Sequence, residues 1–173
     1  MVWVDRIVQA VGWQPMEINI AWSDLESRLG TRLPGDFKEF CEVFGAGEFS
    51  GYLEVYASSG GPSLKVIDWL EDINLTLRED PEAVETFLPY GIYTPGGKGL
   101  LPWGGTVNAS EFGWFVDGGS PEEWRVVAQE EMGGWNKFEM SMSEFVFRVL
   151  TDVEFEEFTV ADLVDPPYFQ PEV

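Results

Sequence analysis

Residues 22–49 read WSDLESRLGTRLPGDFKEFCEVFGAGEF, and the spacing inside this stretch decides the class of fold. Trp22, Leu25 and Leu29 recur every three or four residues, so they share one helix face, and Gly30 supplies a stop. Ser23 with Glu26 fits a capping box, in which each residue satisfies a backbone donor of the first turn. Leu33-Pro34 opens a second helix, because proline is preorganised for the first helical position. Phe37, Phe40, Cys41 and Phe44 fall on one face of it, and Gly45 suits its C-terminal end. Gly47 and Gly51 then bracket a turn into Tyr52-Leu53-Glu54-Val55-Tyr56, which predicts a strand.

Outward from this stretch the pattern divides in two. On the N-terminal side, Trp3, Ile7, Ala10 and Val11 predict a helix over 2–11, ended by Gly12. On the C-terminal side, Val66, Ile67, Leu70, Ile73 and Leu77 predict a long helix over 64–78, broken at Asp80-Pro81. Residues 89–99 are rich in Gly, Pro and Tyr and predict a loop with a strand fragment near 90–93. From Leu100 the chain turns to short strands: 100–103, 112–116, 124–129 and 135–140, joined by Gly-rich turns. That arrangement predicts an antiparallel meander. Ser141 and Glu144 form a second capping box before a last helix carrying Phe145, Val146, Val149 and Leu150. Residues 152–173 hold seven acidic residues and no basic one, and 166–171 predict an extended tail. Helices first, strands next and a closing helix predict an α+β domain, with one mainly antiparallel sheet packed against several helices. All 173 residues form one expected domain, with a core at about 20–151, an extra N-terminal helix and an acidic tail.

Composition narrows the function. The chain has 31 Asp+Glu against 10 Lys+Arg, for a formal charge of -21. A field of that sign repels phosphate backbones and anionic lipid heads, so neither nucleic acid nor membrane is an expected partner. It favours capture of basic proteins, although acidity also serves plain solubility. Histidine is absent, which removes Ser-His and Cys-His nucleophile pairs and the usual zinc sites. The lone Cys41 reads as a small buried hydrophobe. No stretch reaches the length of a membrane span and no basic leader precedes an apolar run, so a cytoplasmic location is the expectation.

Motifs that suggest chemistry fail on inspection. Gly96-Gly97-Lys98-Gly99 lacks the Ser or Thr of a phosphate loop and precedes a strand rather than a helix. Asp117-Gly118-Gly119 offers a single ligand for calcium. The adjacent acids Glu71-Asp72, Glu122-Glu123, Glu130-Glu131 and Glu156-Glu157 invite a glycosidase reading, but neighbouring side chains diverge and the chain is crowded with carboxylates. No catalytic residue, cofactor or metal is therefore expected. Ser120-Pro121-Glu122-Glu123 reads as a turn with at most one helical turn. Most tryptophans read as core, whereas Trp103, between Pro102 and Gly104, reads as partly exposed.

The order Trp22, Leu25-Glu26, Leu29-Gly30, Leu33-Pro34, Asp36-Phe37-Lys38, Phe40, Gly45, Gly47, Phe49, Leu53 carries a resemblance. Leu101-Pro102-Trp103-Gly104, Gly113-Trp114, Pro121, Trp124, Trp135, Phe138, Ser141 and Glu144-Phe145 extend it. Across about residues 20–151 the chain resembles the SUKH superfamily, which includes fungal cell-wall-synthesis regulators and many bacterial immunity proteins. The resemblance implies one sheet packed against several helices and no enzymatic activity. It also implies neutralisation of a polymorphic toxin, often a nuclease or deaminase, by direct binding. The extra first helix, the loop at 89–99 and the acidic tail depart from a minimal family domain.

A non-catalytic immunity protein that binds a basic toxin domain is thus the leading expectation. A regulatory or scaffold module binding an endogenous protein is the alternative, and the oligomeric state is open. The acids in or beside loops are the expected partner surface: Glu48, Asp117, Glu122, Glu123, Glu130 and Glu131, together with Trp103.

Overall fold

The computed structural model describes residues 2–131, 133–155 and 158–173. Its architecture is α+β, with a seven-stranded antiparallel sheet and five α-helices among the described residues. The helices are α1 (Val2–Val11), α2 (Trp22–Leu29), α3 (Gly35–Phe44), α4 (Lys65–Glu79) and α5 (Met142–Thr151). The strands are β1 (Gly47–Phe49), β2 (Leu53–Val55), β3 (Gly99–Thr106), β4 (Glu111–Val116), β5 (Val126–Gln129), β6 (Trp135–Phe138) and β7 (Phe169–Pro171). They lie in the order β6-β5-β4-β3-β2-β1-β7. Strands adjacent in sequence pair as a meander from β1 to β6, and β7 joins last, against β1.

Alternation along each strand sorts its side chains between two faces. Phe49, Leu53, Val55, Leu101, Phe112, Trp114, Val126 and Ala128 are all buried and share the face that meets α3 and α5. Aromatic rings lock that seam: Phe37 meets Trp114 edge-on at 5.2 Å, Phe112 meets Phe145 at 4.9 Å, and Phe40 meets Phe49 at 5.6 Å. Such tilted and edge-on pairs add to the energy of burial itself. The opposite face has a smaller cover, where Trp69 and Ile73 of α4 and Phe87 of the 3-10 turn Pro81–Phe87 pack on Leu100 and Val127.

Several sequence expectations need correction. Trp103 is fully buried, not partly exposed. A bulge shifts the β3–β4 register between Pro102 and Gly104. Trp103 there joins the helix-side core, 5.4 Å from Phe112 and 5.9 Å from Phe145 by ring centroids. A side chain in that place presents nothing to a partner. The Ser23–Glu26 capping box does not form: α2 starts at Trp22 with Ala21 at the cap, so Ser23 lies inside the first turn. Glu26 instead accepts hydrogen bonds from the Leu33 amide (2.8 Å) and Lys38 (3.0 Å), tying α2 to the entry of α3. Ser141 does cap α5 through the Glu144 amide, but the Glu144 carboxylate pairs with Arg148 at 2.8 Å instead of reaching back. Gly47–Phe49 is a strand rather than part of a turn. It forms a hairpin with β2 across Ser50 and Gly51, both at positive φ.

The terminal segments belong to the core. Val4 and Ile7 of α1 are buried, and Trp3 packs at a tilt against Phe147 of α5, with ring centroids 5.4 Å apart. Phe158 and Val160 are buried as well. The predicted tail ends as β7, and Phe169 packs against Phe49 (4.6 Å), Trp13 (4.8 Å) and Phe44 (5.2 Å). Gly47 makes this approach possible, since a Cβ there would lie 2.5 Å from the Phe169 ring and from the Gln170 carbonyl oxygen.

Truncation of Phe169 to alanine should therefore cost about 3 kcal/mol or more by urea denaturation, as for other buried aromatics. Glu172→Gln, which removes only an exposed ion pair with Lys65, should stay within about 0.5 kcal/mol. Equal stability of Phe169→Ala and wild type would return residues 166–173 to the status of a loose tail.

Candidate functional site

Residues paired directly across adjacent strands point to the same face. One such row runs across the entire sheet: Gln170, Glu48, Glu54, Gly105, Glu111, Gln129 and Trp135. It lies on the face away from α3 and α5, beyond the patch that α4 covers. Tyr52 and Tyr56 flank Glu54 by strand alternation. Three connected hollows follow the row. The first borders Glu48, Glu54, Gln170 and Glu172. The second borders Tyr52, Glu54, Tyr56, Thr106 and Glu111. The third borders Glu85, Glu111, Gln129, Glu130, Glu131 and Trp135. Glu54 joins the first to the second, and Glu111 joins the second to the third. Together they form an acidic groove with tyrosine and tryptophan in its walls. Two exposed apolar residues, Val107 and Leu88, stand at its rim.

Its electrostatics are unbalanced. Glu48 faces Glu54 directly, and like charges in that position oppose strand pairing. Lys65, at the start of α4, relieves part of this by bonding Glu54 (2.6 Å) and Glu172 (2.7 Å). Burial works against the Lys65 charge, but its hydrogen bonds to Glu172 and Glu54 outweigh burial and hold the ammonium above its ordinary value. Among the described residues Glu48 has no ion-pair partner. Glu111 is more unusual. Its Oε2 atom is buried and has no hydrogen-bond partner among the described residues, and burial raises the carboxyl above its ordinary value. Tyr56 is pushed up by burial first, then by the charges of Glu111 and Glu54. Burial also raises Tyr52, against a lowering hydrogen bond with Thr106 and with a further raising contribution from Glu130. Both phenols therefore stay protonated as donors across the neutral range.

The acids expected at a partner surface separate into two groups. Glu48, Glu130 and Glu131 line the groove. Asp117 lies just beyond the far end of β4, about 20 Å from Glu111 at the strand rise of 3.4 Å per residue, and Glu122 and Glu123 follow it in the connection to β5. Their oxygens serve the local chain: Asp117 accepts from the Gly119 amide, Glu122 from the Ser120 hydroxyl and Glu123 from the Ser120 amide. Ser120 and Glu123 complete a capping box on the 3-10 turn Pro121–Glu123. The Glu156-Glu157 pair lies outside the described residues. Glu54, Glu111, Tyr52 and Tyr56 were not among the expected partner residues. The alternation Tyr52-Glu54-Tyr56 against Leu53-Val55 was the available signal for three of them.

Among the described residues, no group of three or more His, Cys, Asp and Glu could hold a metal ion, and no helix is long and apolar enough to cross a membrane. Cys41 is buried, and burial pushes its thiol far above the ordinary value, which leaves it unreactive. Comparison with known proteins found no matching family model, curated protein or solved structure.

Two substitutions should reveal the imbalance in the groove. A carboxyl whose folded pKa is raised binds its proton more tightly in the folded than in the unfolded chain. Its contribution to stability is therefore lost as pH rises from the ordinary carboxylate range through the folded value. Glu111→Gln removes that loss. It should raise Tm at neutral pH, and the gain should shrink as pH falls from the raised folded value toward the ordinary carboxylate range and be gone below it. Glu48→Lys should stabilise by about 0.5 kcal/mol by turning a like-charge pair into an opposite one. Thermal melts across pH check both, and a destabilised Glu111→Gln would mean that the carboxylate is satisfied in the folded protein.

Proposed function

We propose that this chain is a non-catalytic binding protein, an immunity protein that neutralises a basic toxin by docking it on the acidic groove of the sheet. The observation that carries this reading is the direct opposition of Glu48 and Glu54 on a bare sheet face. A sequence selected for stability alone avoids like charges across a strand pair, and such local violations concentrate where a protein functions. A basic partner would convert the repulsion into attraction. The overall charge of -21 adds long-range steering, which speeds encounter with a cationic protein. The groove walls supply Tyr and Trp, the side chains enriched at interface centres. A toxin that acts on nucleic acid needs a basic cleft, and an acidic ridge-and-groove surface suits its blockade. The resemblance to the SUKH superfamily points to the same role, with the absence of histidine consistent with a protein that performs no acid-base chemistry.

Co-expression with the product of the neighbouring gene tests the proposal. The expected outcome is that the neighbour arrests growth alone and that this chain restores it. Combined reversal of Glu48, Glu54 and Glu130 to lysine should abolish rescue and weaken binding at least tenfold, on the order of the cost of losing one charge pair at an interface. Reversal of Asp117, Glu122 and Glu123 should leave rescue intact. Association should slow as salt rises. A harmless neighbour, with pull-downs yielding a housekeeping complex instead, would favour the scaffold alternative. Rescue lost only on reversal of the second group would place the interface at the other end of the sheet.

A further inference from the structure

Resting on the docking surface proposed above, we infer that the centre of the groove is an arginine-receiving pocket, in which a guanidinium of the basic partner pairs with Glu111 between Tyr52 and Tyr56. The first observation is the unpaired Glu111 Oε2, buried away from solvent. Buried polar oxygens nearly always have partners, and an orphan calls for an explanation. Glu111 lines two adjoining hollows, and a turn of its carboxylate brings the buried oxygen to a group arriving from either side. Lys65 is already committed, since it bonds Glu54 and Glu172. No described Lys or Arg forms an ion pair with Glu111.

The second observation is the shape around the carboxylate. Gly105 stands directly opposite Glu111 on β3. A Cβ at Gly105 would lie 2.9 Å from the Ser110 carbonyl oxygen and 3.0 Å from the Tyr56 hydroxyl. The strand pair thus has a side chain on one side only, and the Tyr56 phenol lies over the gap. Tyr52 and Tyr56 are both half-buried and border the same hollow as Glu111. A planar, weakly hydrated guanidinium suits such walls, because it stacks on aromatic faces while its fork pairs with a carboxylate. A lysine ammonium is more strongly hydrated and gains less from the rings. Val107 at the rim can seal the contact from water, as near-neutral neighbours do around interface hot spots.

Titration calorimetry of the full chain with deca-arginine and deca-lysine peptides tests the assignment, together with carboxyl carbon NMR of Glu111. Wild type should bind deca-arginine more tightly than deca-lysine. Glu111→Gln should weaken deca-arginine about tenfold or more, the scale of losing a charge-assisted pair in a desolvated site. Glu79→Gln, an exposed acid at the end of α4, should change it less than about twofold. The Glu111 carboxyl signal of the wild type should move on addition of deca-arginine, which keeps the test valid whatever the variant does to folding. Equal affinities of Glu111→Gln and Glu79→Gln, or a stationary Glu111 signal, would overturn the pocket. If the Glu48, Glu54 and Glu130 reversals still weaken binding in that case, the docking surface survives without it. If they do not, both proposals fall.

Discussion

The structure depends on the aromatic seam between one face of the sheet and helices α3 and α5. Phe37 of α3 meets Trp114 of β4, Phe145 of α5 meets Trp103 and Phe112 of β3 and β4, and Phe40 and Phe44 of α3 meet Phe49 of β1. A strand that commits Leu53 and Val55, or Phe112 and Trp114, to that seam has no freedom over the residues between. Glu54, Glu111, Tyr52 and Tyr56 must turn to the other face, because side-chain period along a strand is two. A register slip of one residue would bury the glutamates and expose the rings. The core therefore determines where the acidic groove lies.

That groove is costly to the free protein, and the proposed docking of a basic partner would relieve the cost. Its carboxylates repel one another across β1 and β2, and Lys65 offsets only part of the repulsion. Asp117, Glu122 and Glu123 provide the contrast, since the same side-chain chemistry there closes a turn and caps a helical turn. Net charge does not distinguish these two uses of acid. Local pairing does, because a carboxylate with donors around it is structural, and one left without them is available to a partner.

The helices were largely legible in the chain. Their apolar faces repeat within a few residues, so α3 and α4 fell close to their observed limits. The meander from Leu100 was legible for a similar reason, as its short strands follow one another through Gly-rich turns. What failed was decided by contacts distant in sequence. β1 is only three residues long and is held by β2 on one side and β7 on the other. No local pattern announces that 169–171 will pair with 47–49. Trp103 misled for a different reason: flanking proline and glycine suggest a turn, but within β3 they mark a bulge that rotates the indole inward.

By itself the sequence determined the fold class, the helical faces and the excess of negative charge, because each of these is a property of composition or of residues a few positions apart. Tertiary structure alone decided which acids matter together. Glu48, Glu54 and Glu111 become neighbours only when β1 to β4 pair in register, and the solvation of Glu111 changes only when the sheet closes around it. Burial and opposition of charge arise between segments, so no reading of a single segment contains them.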